Sequence, residues 1–128
     1  MADTSKLKYT QTHEWVSLNG KVARVGVTDH AQHEISDVVF VELPKLDKTL
    51  KAKDSAMIIE SVKAAFDIYA PVSGKVVKVN DKLKDHPELV NKSPHEEGWL
   101  FEIECSDVKE LDSLLSLNDY NSVKETSH

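Results

Sequence analysis

Lys63 is the residue whose type and placement offer the most chemistry. It sits inside Ile58-Ile59-Glu60-Ser61-Val62-Lys63-Ala64-Ala65-Phe66-Asp67-Ile68-Tyr69, where apolar side chains recur at Ile58, Val62, Ala64, Phe66 and Ile68. That alternation is the period of a strand with one covered face. A lysine in its middle implies that the run folds back on itself, with Val62-Lys63 near the tip. Tight hairpin tips usually recruit Asn-Gly, Asp-Gly or Gly because their turns need positive φ, and no Gly or Asn is offered here. A local rule broken without evident compensation points to function. A primary amine on a stiff hairpin is an exposed handle, suited to covalent attachment. The plainer alternative is a solvated charge at a turn.

Other reactive residue types offer less. His30 and His33 are three apart, on one face of a helix. No second pair of Cys, His or Asp at ligand spacing accompanies them, so no metal is expected. The chain has no Gly-x-Ser-x-Gly elbow, and with four glycines it has no glycine-rich phosphate loop. Taken alone, His13 and Glu14 are ordinary strand residues and Trp15 a core anchor. The single Cys105 ends the alternation Leu100-Phe101-Glu102-Ile103-Glu104 and reads as a small strand residue. One cysteine excludes an internal disulfide and fits a reducing compartment.

The elements that must position Lys63 are mostly strands. Gly20-Lys21-Val22-Ala23-Arg24-Val25 and Gly74-Lys75-Val76-Val77-Lys78-Val79 repeat the pattern Gly-Lys-Val-apolar-basic-Val, which suggests two similar β halves. Further strands are expected near residues 15–18, 38–42, 56–60, 65–69 and 99–105. Asn19-Gly20 and Pro71 to Gly74 are turns, and Pro44, Pro87 and Pro94 mark loops. Asp29 with Gln32 makes a capping pair, so a short helix is expected over Asp29 to Ile35. Ser106 or Asp107 caps a second helix, with Asp107 and Glu110 in box spacing and an apolar stripe of Val108, Leu111, Leu114 and Leu115. Asn118 caps a last helix carrying Tyr120 and Val123, and the tail to His128 is expected to be mobile.

A chain of 128 residues is one domain, long enough to bury a core without staples. The boundaries read as residues 1–128, with a core at about 7–117 and a helical tail at 106–128. A net charge of −6 argues against nucleic-acid binding, whose footprint is basic, and suits docking on basic partner surfaces. No apolar run is long enough to span a bilayer. Met1-Ala2-Asp3-Thr4-Ser5-Lys6 lacks both a signal peptide's apolar core and a transit peptide's Arg-rich amphipathic character. A cytoplasmic location is expected, or the mitochondrial matrix if this is a processed eukaryotic form.

Glu60-Ser61-Val62-Lys63-Ala64, followed by Asp67-Ile68-Tyr69-Ala70-Pro71-Val72-Ser73-Gly74, closely resembles the lipoylation site of the H proteins of the glycine cleavage system. So do Thr12-His13-Glu14-Trp15-Val16, Gly26-Val27-Thr28-Asp29-His30-Ala31-Gln32, Val39-Phe40-Val41-Glu42-Leu43-Pro44 and Gly98-Trp99-Leu100. These blocks stand in family order across about residues 7 to 117. The resemblance implies a mainly β, lipoyl/biotinyl-type flattened β sandwich (a barrel-sandwich hybrid) with a short internal helix and C-terminal helices. It also implies lipoate in amide linkage to Lys63, with Glu60 and Ala64 as flanking recognition residues. Glu14 and Asp67 are implied to line a cleft for the arm, with Thr12 adding a hydroxyl.

The same resemblance implies a non-catalytic carrier, expected to be a monomer. It takes the aminomethyl group of glycine from a pyridoxal-phosphate glycine decarboxylase to a tetrahydrofolate-dependent aminomethyltransferase. Its dithiol is then reoxidised by dihydrolipoyl dehydrogenase, and lipoate-attaching enzymes load it. One alternative keeps the fold and makes the chain a lipoyl donor feeding other lipoyl domains. Another, a 2-oxoacid dehydrogenase lipoyl domain, normally adjoins linkers and an acyltransferase domain. A biotin carrier would place Met on both sides of the lysine, and a small hydrolase using Glu14 or a histidine would act without lipoate. The chain departs from the family at Phe66, where a small or polar residue is usual, and at Ser36, where glycine is common before the acidic residue. Pro94-His95-Glu96-Glu97-Gly98-Trp99 also has His and Glu where Tyr and Gly are usual.

Overall fold

The structure, a computed structural model, describes residues 7–126, with side chains through residue 122. The expected mainly β fold is what forms. β1 (Lys8–Tyr9), β2 (Glu14–Asn19) and β3 (Val22–Val27) lead into helix α1 (Asp29–Ile35). β4 (Val38–Glu42), β5 (Thr49–Leu50), β6 (Ser55–Ser61), β7 (Ala65–Tyr69) and β8 (Gly74–Val79) follow. After the short helices α2 (Lys82–Asp85) and α3 (Leu89–Lys92), β9 (Phe101–Cys105) completes the strands. A six-stranded antiparallel sheet runs β1-β2-β3-β9-β8-β5, and a three-stranded one runs β4-β6-β7. Both sheets feed one core that includes Val25, Ile59, Ile68, Val76, Phe101 and Ile103.

The repeat does not divide the molecule into one sheet per half. Its two strands, β3 and β8, lie in the same sheet on either side of β9. Their basic residues fall on its outer face, where Arg24 and Lys78 both pair with Glu102 and Lys75 pairs with Glu104. Such rows place opposite charges on neighbouring strands.

The alternation around Lys63 is also corrected. Ala56, Met57 and Ile59, not Ile58, are the buried residues of β6, while Val62 and Ala64 are exposed. The cause is the chain reversal. Ile59 pairs with Phe66 and Ile58 with Asp67, so an even position on β7 faces an odd one on β6. Parity read straight through a turn fails because the turn resets it.

Helix α1 forms as expected, but its cap is Thr28, whose hydroxyl accepts from the Ala31 N–H at 3.1 Å. Asp29 and Gln32 bond each other instead. The second helix is a 3-10 turn over Val108–Ser113, capped by Asp107 through the Lys109 N–H. Glu110 does not close a capping box; its carboxylate accepts from the Ser73 N–H and hydroxyl at 2.7 and 2.9 Å. Of the expected stripe only Leu111 is fully buried, and Val108 is exposed. Helix α4 (Leu117–Thr126) starts one residue before Asn118, and Ser116 Oγ accepts from the Asp119 N–H. The Val123 side chain and the tail to His128 lie outside the described residues.

A second apolar cluster of Leu7, Tyr9, Trp15 and Tyr120 pins α4 to β1 and β2. Trp15 lies flat on Gly26, where any Cβ would come within 2.4 Å of its ring, and its indole N–H donates to the Pro94 carbonyl. That is a structural anchor, as its type implied.

Candidate functional site

The β6–β7 turn solves its conformational problem with a hydroxyl. Ser61 Oγ accepts from the backbone N–H of Lys63 at 3.0 Å and of Ala64 at 3.2 Å, while the Ser61 N–H donates to the Ala64 carbonyl at 2.9 Å. No residue from 61 to 64 has positive φ. A serine-capped turn of this kind replaces the Gly or Asn that a primed turn needs. The tip is tied to the rest of the fold by one backbone bond, Val62 N–H to the Asp37 carbonyl, at 3.0 Å. Lys63 is exposed, and among the described residues its Nζ makes one long 3.5 Å contact, with the Glu34 carbonyl. Glu60 and Ala64 flank it and are exposed as well.

A second feature lies past the far end of β7. A cleft of about 470 Å³ is lined by Tyr9, Thr10, Thr12, Glu14, Tyr69 and Leu114, among others. Glu14 is 1 % exposed. Both Thr10 and Thr12 donate their hydroxyls to its Oε1 at 2.5 Å. Burial pushes the Glu14 carboxyl above its ordinary range, opposed by those hydroxyls and by the Tyr69 backbone N–H. The loop that delivers Glu14 is itself constrained. His13 sits at φ 71°, its carbonyl accepts from the Thr28 N–H, and its Nδ1 lies 2.7 Å from the Tyr120 hydroxyl.

Thr12 and Glu14 therefore come together, whereas Asp67 stands apart from the cleft lining. Its carboxylate accepts from the Ser55 hydroxyl at 2.8 Å on the exposed face of β7. It shares that face with Tyr69, two residues on, so it lies along the strand between the Lys63 tip and the cleft. Phe66 turns the other way, packs against the core and does not wall the cleft. The His30 ring is tilted 41° against that of His13 and lies 3.7 Å from Glu34, while His33 faces Asp29 at 3.5 Å. Among the described residues no three His, Cys, Asp or Glu side chains are grouped to hold a metal ion. Cys105 is buried, and its thiol is pushed up by that burial and then by Glu110.

The exposed lysine on a serine-capped tip and the buried carboxylate cleft give the comparison with known proteins its meaning. A family model described as Glycine cleavage H-protein matches residues 7–127. This chain belongs to that family. A glycine cleavage system H protein of Thermotoga maritima is 56 % identical over 113 residues, covering 88 % of this chain and 91 % of its own. One of Endomicrobium trichonymphae is 53 % identical over 117 residues, covering 91 % and 94 %. The crystal structure of a glycine cleavage system H protein from Mycobacterium marinum superposes with a TM-score of 0.84 at 32 % identity, covering 92 % and 95 %. Membership supports a lipoyl carrier role in glycine cleavage, on a lipoyl-type β sandwich. Against the family frame, the cleft holds two groups that motif matching passed over, the Thr10 hydroxyl and the Tyr69 backbone N–H. Thr10, Thr12 and Glu14 alternate along the sequence, which was the available signal for the first.

Proposed function

We propose that Lys63 carries lipoate in amide linkage and that this chain serves as the non-catalytic shuttle between the enzymes of glycine cleavage. The observation that carries the reading is the tip itself, an exposed amine on a turn fixed by a side-chain hydroxyl and a cross-loop backbone bond. The residues present fit such a group. Among the described residues Nζ has one long contact to give up, and the cleft offers apolar walls with one buried carboxylate, Glu14. When bound, the dithiolane supplies a disulfide that takes up an aminomethyl group and later returns two electrons. The protein's own contribution is presentation and shelter. Tethering keeps the arm's effective concentration high at each partner site.

Partners on this reading are the pyridoxal-phosphate glycine decarboxylase, the aminomethyltransferase, dihydrolipoyl dehydrogenase and the lipoate-attaching enzymes. The residues act as one carrier unit, monomeric and cytoplasmic. Glu60 and Ala64 flank the amine for the attaching enzyme. Glu14 accepts a charge-assisted hydrogen bond from the cargo's ammonium, an interaction worth about 1.5–3 kcal/mol in a desolvated site. Thr12 holds that carboxylate in place. Asp67 acts on the path of the arm along β7 rather than inside the cleft.

Intact mass tests the attachment. A lipoate ligase is expected to add one lipoyl mass to the wild type and none to Lys63→Arg; modification of that variant overturns the assignment. Formaldehyde release from loaded protein, with no transferase present, tests the shelter. Glu14→Ala is expected to speed release about tenfold, the equivalent of 1.4 kcal/mol. Asp67→Ala is expected to change it less than about threefold, as a solvated carboxylate contributes under 1 kcal/mol. Equal rates for Glu14→Ala and wild type refute the shelter role.

A further inference from the structure

We infer that Thr10 is a positioning residue whose hydroxyl holds the Glu14 carboxylate in place for the cationic cargo. The inference rests on the shelter reading of the cleft and adds to it a residue outside the motif blocks that define the family here. Its basis is geometric. Thr10 Oγ1 touches Glu14 twice, accepting from its backbone N–H at 3.0 Å and donating to Oε1 at 2.5 Å. The same oxygen lies 3.2 Å from Thr12 Oγ1. Two hydroxyls thus converge on Oε1, and among the described residues neither reaches Oε2. The Tyr69 backbone N–H is a further donor to this carboxylate, which lines the cleft where a ligand would sit.

The backbone makes Thr10 able to do this. Its N–H donates to the Glu14 carbonyl at 3.0 Å, and its carbonyl accepts from the His13 N–H at 3.2 Å. Residues 10 and 14 therefore close a tight loop, which needs His13 at φ 71°. Threonine is also stiff about χ1, so its hydroxyl is held with little rotamer freedom left to lose. Thr12 differs. It is exposed and makes only side-chain contacts with the carboxylate, so it donates without fixing the loop.

Burial opposes ionisation of Glu14, and the hydroxyl donors pull the other way. Removing one donor must push the carboxyl further up. The test uses unlipoylated protein with 13C-labelled glutamate, titrated by NMR, so that it does not depend on the loaded arm. Thr10→Val keeps shape and removes the hydroxyl; the Glu14 carboxyl is expected to titrate about one pH unit higher, the scale of a hydrogen bond to a charged group. Thr10→Ser should restore the wild-type titration. If Thr10→Val folds poorly, Thr10→Ala supplies the same comparison. An unchanged Glu14 titration in a folded Thr10 variant overturns the inference. The shelter reading fails separately. If Thr10→Val shifts the titration while loaded Glu14→Ala releases formaldehyde at the wild-type rate, Thr10 still positions Glu14 but the cleft does not protect cargo.

Discussion

The tip around Lys63 and the cradle around Glu14 use the same chemical group in opposite directions. At the tip, one hydroxyl, Ser61, accepts from two backbone N–H groups in solvent. In the cradle, two hydroxyls, Thr10 and Thr12, donate to one oxygen of a buried carboxylate. The first arrangement fixes backbone position and leaves the reactive amine free. The second holds a buried carboxylate, and there Thr10 also ties down its own loop by accepting from the Glu14 N–H, with His13 at φ 71°. Presenting a handle is therefore a conformational problem, solved by geometry near water. Receiving a charged cargo is a solvation problem, solved by burial and hydrogen bonding. On the proposed reading the two roles make conflicting demands on exposure, and the fold separates them along β7.

The sharpest way to break this comparison is to move the handle by one place. Val62→Lys with Lys63→Val keeps the composition, and Val62 is already 67 % exposed, so burial is not at stake. If position is what the tip provides, lipoylation should be lost completely while the fold persists, because the amine leaves from a different point of the turn. Intact mass after ligase treatment reads the result. Efficient modification of the swap would show that the attaching enzyme reads flanking chemistry and that tip geometry is incidental.

The cradle is tested by its cost. Because Glu14 is raised on folding, its contribution to stability is whole below the ordinary carboxyl value of 4.5 and is lost as pH rises through the folded-state value. Glu14→Gln removes the ionisation and so should stabilise the protein at pH 7, on the order of 1 kcal/mol, the scale on which pKa displacement converts to stability. The advantage should fade below about pH 4.5, where the wild-type carboxyl is neutral in both states. Urea midpoints at pH 7 and pH 4 measure it. A destabilised Glu14→Gln at pH 7 would mean that the hydroxyls and the Tyr69 N–H more than offset desolvation. His95 carries the opposite sign. Burial lowers it, with Asp29 and Glu96 pulling the other way, so acidification below the ordinary histidine range takes stability away.

How much of this was legible in the sequence depended on how local each feature was. Lys63 and its flanks form a contiguous motif, and the hairpin was readable as one apolar run split by a lysine. The parity of that run was not readable, because Ile59 meets Phe66 only once the turn sets the register. Ser61 stood inside the motif, yet its hydroxyl's part in replacing glycine needs the turn's hydrogen bonds to be seen. Thr12 and Glu14 were singled out by resemblance and line one cleft, whereas Asp67, grouped with them, bonds Ser55 along β7, a separation that only the strand pairing reveals. The C-terminal stripe had helical spacing, but Glu110 found Ser73, 37 positions away, and tertiary bonding displaced the local capping box.

Ser36 joins the two halves of that lesson and gives the smallest effect. The sequence marked it as a departure where glycine is common. In the structure it adopts φ 73° and ψ −164°, backbone space that glycine enters freely and other residues enter at about 1–3 kcal/mol. Surrounding contacts hold it there. Asn91 donates to the Ser36 carbonyl at 2.8 Å and accepts from the Val38 N–H at 2.9 Å, bracketing Asp37, whose carbonyl receives the tip. Ser36→Gly should relieve the strain but give back about 0.5–1 kcal/mol of chain entropy, leaving a net gain of roughly 0–2.5 kcal/mol in denaturant unfolding. Lipoylation should not change, since the Asp37 carbonyl stays where Asn91 keeps it. Slower lipoylation alongside higher stability would show that the strain itself helps to present Lys63, tying the tip to α1 and α3 more closely than one backbone bond implies.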